Sequence, residues 1–394
     1  MPNVNNQKIK IALVGGGVSS VAAALTFPTS FQVDIYERDE RLLRKLLKTG
    51  NGKANIFNLK IDQTMYNNPE LIAAHPALLQ VVKDFYHDKG VLTFTDEEGR
   101  GYPYSRSARS LANHLLSLLG SNVKVFLNMA INHIDVDGAK VMIEGQSYDH
   151  VLIATGSSAY DPSVNTDNNN TQLFADLGVK LSGFYPVSGP IMIKENLRMI
   201  ENEKVKATLS IFVLDRVITS ESGEILFKKD NLSGIASFIA NSRLVWDYRQ
   251  HGYQSYTVSL NLIDGYEKEV EALLDKKNIS TSAFQGLVSD PLAAYLTSRC
   301  DKNIDSVGVM RLLTDLKFKI SKDFILSHDK GQLMSGGVDI GEINSHTFAL
   351  KSNSNIYVGG EVLDIDGVSG GYNLMFALYS GITIAKDIVN KHCQ

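Results

Sequence analysis

Three consecutive glycines, Gly15, Gly16 and Gly17, follow an apolar run at 8–14 and open a small-residue segment at 18–25, and Glu37 closes a second apolar run at 33–36. Residue types at this spacing bind dinucleotides. Glycines let the backbone approach a pyrophosphate, the first turn of a helix offers it free N–H groups and partial positive charge, and an acidic residue about 20 positions further on accepts ribose hydroxyls. Glu37 lies 22 residues beyond Gly15. The third glycine of the fingerprint is replaced by Ser20, which is still small enough for close helix-to-strand packing. A carboxylate at 37, where a base could have stood, disfavours a 2′-phosphate on that ribose.

A second set of candidates lies in IYVGGEVLDIDGVSGGYNLMFALYSG at 356–381. A strand that ends on Gly359 and Gly360 can bring its backbone and the Glu361 carboxylate to a ligand edge with no side chain intervening. Beyond it, Gly370 and Gly371 precede an apolar helix at 374–384, whose start presents N–H groups to an electron-rich atom. Ordinary glycine turns would read the same way in this segment taken alone. Tyr372 and Asn373 suit capping and packing as well as ligand contact, and Asp364 and Asp366 suit backbone amides as well as proton transfer.

Positioning these groups requires a parallel sheet. The run at 8–14 becomes continuously apolar, as a strand covered on both faces does, and Pro28 closes the helix that follows. Further strands are expected at 123–126, 141–143 and 151–153, the last running into Ala154, Thr155 and Gly156, and a helix is expected at 70–88. Between Glu37 and residue 60 lies a polar turn, Thr49, Gly50, Asn51 and Gly52, preceded by Arg44, Lys45 and Lys48; by composition it is a solvated loop with a charge cluster. Residues 161–171 read as an Asn-rich surface loop. Beyond Pro186 the pattern alternates as strands, 265–299 is helical and amphipathic with breaks at 278–281 and Pro291, and 316–326 is strand-like. The expected fold is α/β: a Rossmann-like dinucleotide-binding domain built from 1–186 and 331–394, with an inserted β-rich domain at 187–330 that carries a helical subdomain at about 265–310.

Composition fits a globular enzyme. The 394 residues are 44% apolar and 21% charged, with a net charge of −4, and no long basic face argues for nucleic acid. Cys300 and Cys393 are too few for a disulfide framework and match no metal spacing. The first ten residues hold no apolar signal region, and no run approaches the roughly 18 residues of a membrane helix. These features predict a cytoplasmic protein with a small-molecule substrate, no metal, no nucleic-acid partner and no membrane partner. They specify no oligomeric state.

KLLKTGNGKANIFN at 45–58 together with GGEVLDIDGVSGGYNL at 359–374 resembles the HI0933-like flavoproteins, the group that includes aminoacetone oxidases and the bile-acid reductase of the BaiN type. Blocks at 99–116, 223–242 and 335–352 are similar to the family's others, in family order. The chain departs from the usual pattern at Leu43 (glycine), Lys53 and Ala54 (arginine and cysteine), Ile235 (proline), and Ala349 and Leu350 (glutamate and serine). The resemblance implies tightly bound FAD in a core of the two-dinucleotide-fold type. On it, Gly15, Gly17, Ser20, Glu37 and Arg38 belong to the FAD site, with Ala154, Thr155 and Gly156 near the adenosine pyrophosphate and Ile131 against the adenine, plain core packing being the alternative for both. Lys45, Thr49, Gly50, Asn51, Gly52 and Asn55 join that site from the polar turn. Gly360 and Glu361 face the ribitol, and Gly370, Gly371, Tyr372 and Asn373 lie at the N1/O2 edge of the isoalloxazine.

The activity this implies is hydride transfer between a small organic substrate and flavin N5. Oxidation of an amine or aminoketone, with hydrogen peroxide as co-product, is placed ahead of reduction of an alkene or enone by NAD(P)H. A flavin-binding sensor or assembly protein without turnover is a further alternative, and a flavoprotein acting on tRNA is disfavoured by charge. With one complete dinucleotide fingerprint, NAD(P)H could serve only as a transient donor. No catalytic acid or base is identified: Tyr102 and Tyr104 could stack on flavin or substrate with Arg100 holding a carboxylate, against turn packing beside Pro103, and His346 reads as a surface residue.

Overall fold

Strand Lys10–Val14 is buried from its second residue onward, as a strand covered on both faces must be. It occupies the centre of a five-stranded parallel sheet in the order Ile356–Val358, His150–Ile153, Lys10–Val14, Gln32–Tyr36, Val123–Phe126. Ile11, Leu13, Val33, Ile35, Val151 and Ile153 are fully buried within it, each contributing about 1.5–3 kcal/mol. The computed structural model describes residues 8–159, 166–253, 255–275, 283–300, 304–325 and 331–392.

Register decides where the candidate residues fall. Val14 pairs with both Ile153 and Tyr36, and Ile153 pairs with Val358. Four strands therefore end level, and Gly15, Ala154, Glu37 and Gly359 leave the sheet side by side at its carboxyl edge, where open α/β sheets bind ligands. The helix Val18–Ala24 packs against the long helix Tyr372–His392. Small residues make that crossing close: a Cβ on Gly381 would lie 2.0 Å from the Ser19 carbonyl oxygen. Two three-stranded antiparallel sheets complete this part of the chain, Phe57–Asn58, Arg100–Pro103 and Thr93–Thr95 in one, Asp135–Asp137, Lys140–Ile143 and Gln146–Tyr148 in the other.

Contacts divide the chain into two compact units, Met1–Phe184 with Met334–Gln394, and Tyr185–Leu333. The chain passes from the first to the second through Leu181–Val187 and back through Leu333–Val338, strands that pair with each other. The second unit holds a six-stranded antiparallel sheet in the order Ile191–Met192, Asn231–Ser233, Arg216–Lys228, Lys204–Val213, Thr257–Asn261, Leu316–Lys319. The 17-residue helix Ile235–His251 packs on its Arg216–Lys228 strand, and Glu267–Leu274, Asp290–Ser298 and Ser306–Thr314 are helical.

Several expected elements differ. The helix expected at 70–88 is two, Pro69–Ala73 and Leu78–Asp88, because Pro76 disfavours helical backbone at His75 and cannot donate to a preceding turn. Of the loop expected at 161–171, 166–171 begin the helix Thr166–Asp176, and 161–165 lie outside the described residues. The 316–326 run is a strand only to Lys319, then a 3₁₀ turn at Lys322–Ile325. The first helix ends at Ala24, with Leu25 as its C-cap, before Pro28, and the last begins at Tyr372 and runs 21 residues. The break expected at 278–281 and Cys393 lie outside the described residues. Among the described residues, no helix is long and apolar enough to cross a membrane, and no group of three or more His, Cys, Asp or Glu could hold a metal ion.

Candidate functional site

At the carboxyl edge the first turn is forced to be glycine. Gly15 has φ +100°, and a Cβ there would lie 2.4 Å from the Ala154 carbonyl oxygen. Gly16 is crowded by Leu42 and Glu37, whereas a Cβ on Gly17 would meet nothing within 4 Å among the described residues. Gly17 is the N-cap of Val18–Ala24 in extended conformation, so its open face is a cradle that a side chain would fill. Ser20 is fully buried in the helix behind it. The Glu37 carboxylate accepts from the Gly16 N–H at 2.6 Å and from the Asp39 N–H at 2.9 Å. Each oxygen keeps a further lone pair. Arg38 approaches Asp39 at 4.0 Å. The Met129 N–H donates to the Glu37 carbonyl, drawing the segment after Val123–Phe126 across the strand end, and Ile131 two residues on is 6% exposed.

The polar turn folds inward to the same edge. Thr49 is extended, Gly50 and Asn51 are left-handed, and Gly52 and Ala54 also have positive φ. Asparagine tolerates that region and alanine does not readily. The Thr49 hydroxyl donates to the Leu46 carbonyl, so it is used within the turn. Lys45 reaches across the chain: its Nζ donates to the Ser157 carbonyl at 2.7 Å and lies 2.6 Å from Glu361 Oε2, while the Ser157 hydroxyl donates to Glu361 Oε1 at 2.8 Å. This cluster ties the polar turn to the ends of two sheet strands, and Gly156, with φ +69°, leaves room for it. Ser157 and its part in the cluster carried no sequence signal beyond its place after the Ala-Thr-Gly stretch.

Gly370 and Gly371, φ +134° and +99°, precede the long helix. A Cβ on Gly371 would be 2.5 Å from Asn55 Oδ1 and 2.7 Å from the Phe57 carbonyl oxygen, and the Asn58 amide donates to the Gly370 carbonyl. The helix start, the polar turn's exit and the strand Phe57–Asn58 therefore meet. Tyr372 is buried edge-on to Tyr66, with its hydroxyl donating to the Lys60 carbonyl. Asn373 is held by Gly367, whose N–H it accepts from and whose carbonyl it donates to. Asp364 accepts from Asn67 and Ser182, so it is a structural acceptor. Among the described residues, buried Ser20 Oγ has no hydrogen-bond partner, and at this edge neither have the buried oxygens Asn55 Oδ1 and Thr155 Oγ1. Buried polar atoms are normally paired, and both sit on segments that line this edge. Open space at Gly17 and two orphaned polar atoms fit a bound dinucleotide.

The aromatic residues differ from expectation in one respect. Arg100 is held by Asp96 at 2.8 Å and Glu98 at 2.7 Å, so its guanidinium is not free to hold a substrate carboxylate. Arg106 lies instead over the Phe94 ring, 4.6 Å from its centroid, and Phe94 stacks on Tyr102 at 5.7 Å. His346 is exposed. The nearby His75 was not singled out from the sequence: its Nε2 meets the Ser345 carbonyl at 2.7 Å, which leaves Nδ1 to accept from the Tyr379 hydroxyl. Burial pushes this imidazole below the ordinary histidine range, against the pull of the Ser345 carbonyl, and it is a neutral packing group stacked on Phe348.

Residues 9–387 match the HI0933-like protein Rossmann domain. A 3-dehydro-bile acid delta(4,6)-reductase of Clostridium scindens is 24% identical over 400 residues, covering 94% of this chain and 97% of the relative. A ribosomal RNA dihydrouridine synthase of Escherichia coli is 22% identical over 419 residues, covering 97% and 98%. Among solved structures, the 3-ketosteroid delta1-dehydrogenase of Sterolibacterium denitrificans shares the fold at a TM-score of 0.50 and 10% identity, covering 97% of this chain and 99% of that one. The chain belongs to the HI0933-like family and is a flavoprotein oxidoreductase with a Rossmann-type parallel sheet.

Proposed function

We propose that this protein is an FAD-dependent reductase that adds hydride to a conjugated carbon–carbon double bond of a small organic molecule, with a reduced pyridine nucleotide as transient donor. One observation carries the reading: relatives matched end to end are named for a delta(4,6)-reductase and for dihydrouridine synthases, and both names describe saturation of a double bond conjugated to a carbonyl. Amine or aminoketone oxidation, placed first on sequence grounds, has no such support and becomes the weaker reading. The donor has no domain of its own, since among the described residues there is one parallel sheet with one glycine fingerprint.

Residues 1–186 and 331–394 are proposed as the FAD-binding domain and 187–330 as the inserted domain. Glu37 holds the ribose hydroxyls with its remaining lone pairs, Gly15 and Gly17 admit the pyrophosphate, and Thr155 and Asn55 direct their orphaned oxygens to cofactor hydroxyl or N–H groups. Glu361, fixed by Lys45 and Ser157, faces the ribitol. The start of Tyr372–His392, reached through Gly370 and Gly371, places a positive helix end by the flavin's pyrimidine edge, where negative charge develops on reduction. Bound FAD supplies the hydride carrier between donor and substrate. The same chemistry on a uridine in RNA is a second reading, supported by the dihydrouridine synthase relatives and opposed by the net charge of −4.

Anaerobic mixing tests the reading. NADPH or NADH should bleach the FAD-loaded protein, and an α,β-unsaturated ketone should restore its colour while gaining two hydrogens. Bleaching by an amine or aminoketone, with recovery by oxygen and not by any enone, would overturn it.

A further inference from the structure

We propose that the shelf formed by Phe94, Tyr102, Tyr104 and Arg106 docks the pyridine nucleotide donor. The inference rests on the reductase reading above. Phe94 and Tyr102 stack at 5.7 Å with 26° between their planes, Tyr104 stands edge-on to Phe94 at 6.4 Å, and Tyr104 and Leu92 are 68% and 67% exposed. A flat heteroaromatic ring gains stacking area on such a surface. Arg106 Cζ lies 4.6 Å from the Phe94 ring centroid, and a guanidinium held at an aromatic ring still carries N–H donors that can bind a phosphate.

Charge and position agree with this occupant. Lys53, Arg106 and Arg109 are exposed and have no ion-pair partner among the described residues, whereas the neighbouring Arg100 is neutralised by two carboxylates. Lys53 leaves the polar turn, and Arg109 lies in the first turn of Ala108–Ser117, which packs against that turn. One unpaired cation at the shelf, with two more on the polar turn and the helix packed on it, suits a ligand that carries several phosphate charges better than a lone carboxylate. The shelf also adjoins the cofactor segments. A Cβ on Gly50 would lie 3.7 Å from the Tyr102 ring, the Ile56 N–H donates to the Gly101 carbonyl, and Asn55, one residue earlier, abuts Gly371.

Stopped-flow reduction of the FAD-loaded protein across a series of NADPH concentrations tests this, with calorimetric binding of NADP⁺ as a readout independent of turnover. Arg106→Ala, on an exposed residue, should raise both dissociation constants about tenfold or more, the loss of one charge-assisted hydrogen bond. Tyr102→Leu should weaken binding similarly and Tyr102→Phe, which keeps the ring, should not. The flavin spectrum and the rate at which ferricyanide re-oxidises dithionite-reduced protein should stay as in the wild type. Saturable reduction of the wild type with unchanged constants in Arg106→Ala and Tyr102→Leu would place docking elsewhere and leave the reductase reading standing. A wild type that neither NADPH nor NADH bleaches would remove that reading, and the shelf with it.

Discussion

Two neighbouring glycines separate what the fold requires from what the ligand requires. Gly17→Ala places a methyl group where nothing lies within 4 Å, on a residue with φ −77° and ψ −175°, which alanine adopts freely. Two small terms then oppose each other: the stiffer unfolded chain stabilises by about 0.4–1 kcal/mol, and alanine is a poorer N-cap than glycine by roughly 0.5–1 kcal/mol. The cofactor-free protein should melt where the wild type does. Gly15→Ala is different, since its Cβ meets the Ala154 oxygen at 2.4 Å and carbon at 2.8 Å while φ is +100°. Backbone strain of about 1–3 kcal/mol and overpacking of about 1–3 kcal/mol make a loss of roughly 2–6 kcal/mol.

Binding should reverse the ranking of interest. With the apo fold intact, any loss of FAD affinity in Gly17→Ala must come from the methyl group standing where the pyrophosphate approaches. Losing one hydrogen bond to a charged group costs about 1.5–3 kcal/mol, roughly tenfold to 150-fold in Kd. Thermal melts of the apo variants and a flavin-fluorescence titration measure the two quantities separately. A Gly17→Ala protein that binds FAD as tightly as the wild type would refute the assignment of this edge as the pyrophosphate cradle, whatever its melting temperature.

Glu37→Gln removes the charge that the Gly16 and Asp39 N–H groups share and should lower FAD retention by about tenfold or more; retention equal to the wild type on gel filtration would argue against the ribose role. Lys45→Met and Glu361→Gln, singly and together, should give a coupling of about 0.5–1 kcal/mol in urea unfolding, modest because the Lys45 side chain is 37% exposed; strict additivity would mean that the pair does not hold the turn. His133, hydrogen-bonded to Asp176 and then Asp135, has its pKa raised above the ordinary value. A raised folded-state pKa contributes stability that is complete below the unfolded value and lost as pH climbs through the folded one. The wild type should therefore lose more melting temperature than His133→Gln between about pH 6 and about pH 8; equal losses would mean that the hydrogen bonds of His133 to Asp176 and Asp135 do not stabilise the fold.

The dinucleotide half-site was legible because every part of it is local. A strand, three glycines, a small-residue helix and Glu37 lie within about 30 residues, and their order in the chain is their order in space. Element ends and long-range pairings were less so. Residues 161–171 read as a loop because Asn and Thr carry no apolar period, yet 166 onward is helical, and the sequence fragment TDNNNTQLFAD offers only Leu173 and Phe174 as buried apolar anchors late in the helix. Arg100 and Arg106 show the same limit for side chains. They flank the same turn in GRGYPYSR, and nothing in the spacing says which one Asp96 and Glu98 will claim. That choice is made by the strand Arg100–Pro103, whose hairpin with Thr93–Thr95 brings the Asp96 carboxylate within 2.8 Å of Arg100, and it leaves Arg106 as the cation over Phe94.

Lys45 and Glu361 are 316 residues apart and meet only because two strands end level in the sheet. The glycine-ended strand points Glu361 to a ligand edge and the family resemblance adds Lys45 to the cofactor site, and the ion pair changes what each can do. A lysine bound to Glu361 and to the Ser157 carbonyl is no longer a free cation for a phosphate, and Glu361 has one oxygen taken by Lys45 and the other by Ser157. Both carboxylate oxygens nevertheless keep a lone pair, so the cluster orients an acceptor for hydroxyl groups while neutralising its charge. On the proposed FAD site that suits a ribitol chain next to a pyrophosphate: an uncompensated Glu361 carboxylate would repel phosphates, and Lys45 offsets that repulsion without occupying the acceptor sites.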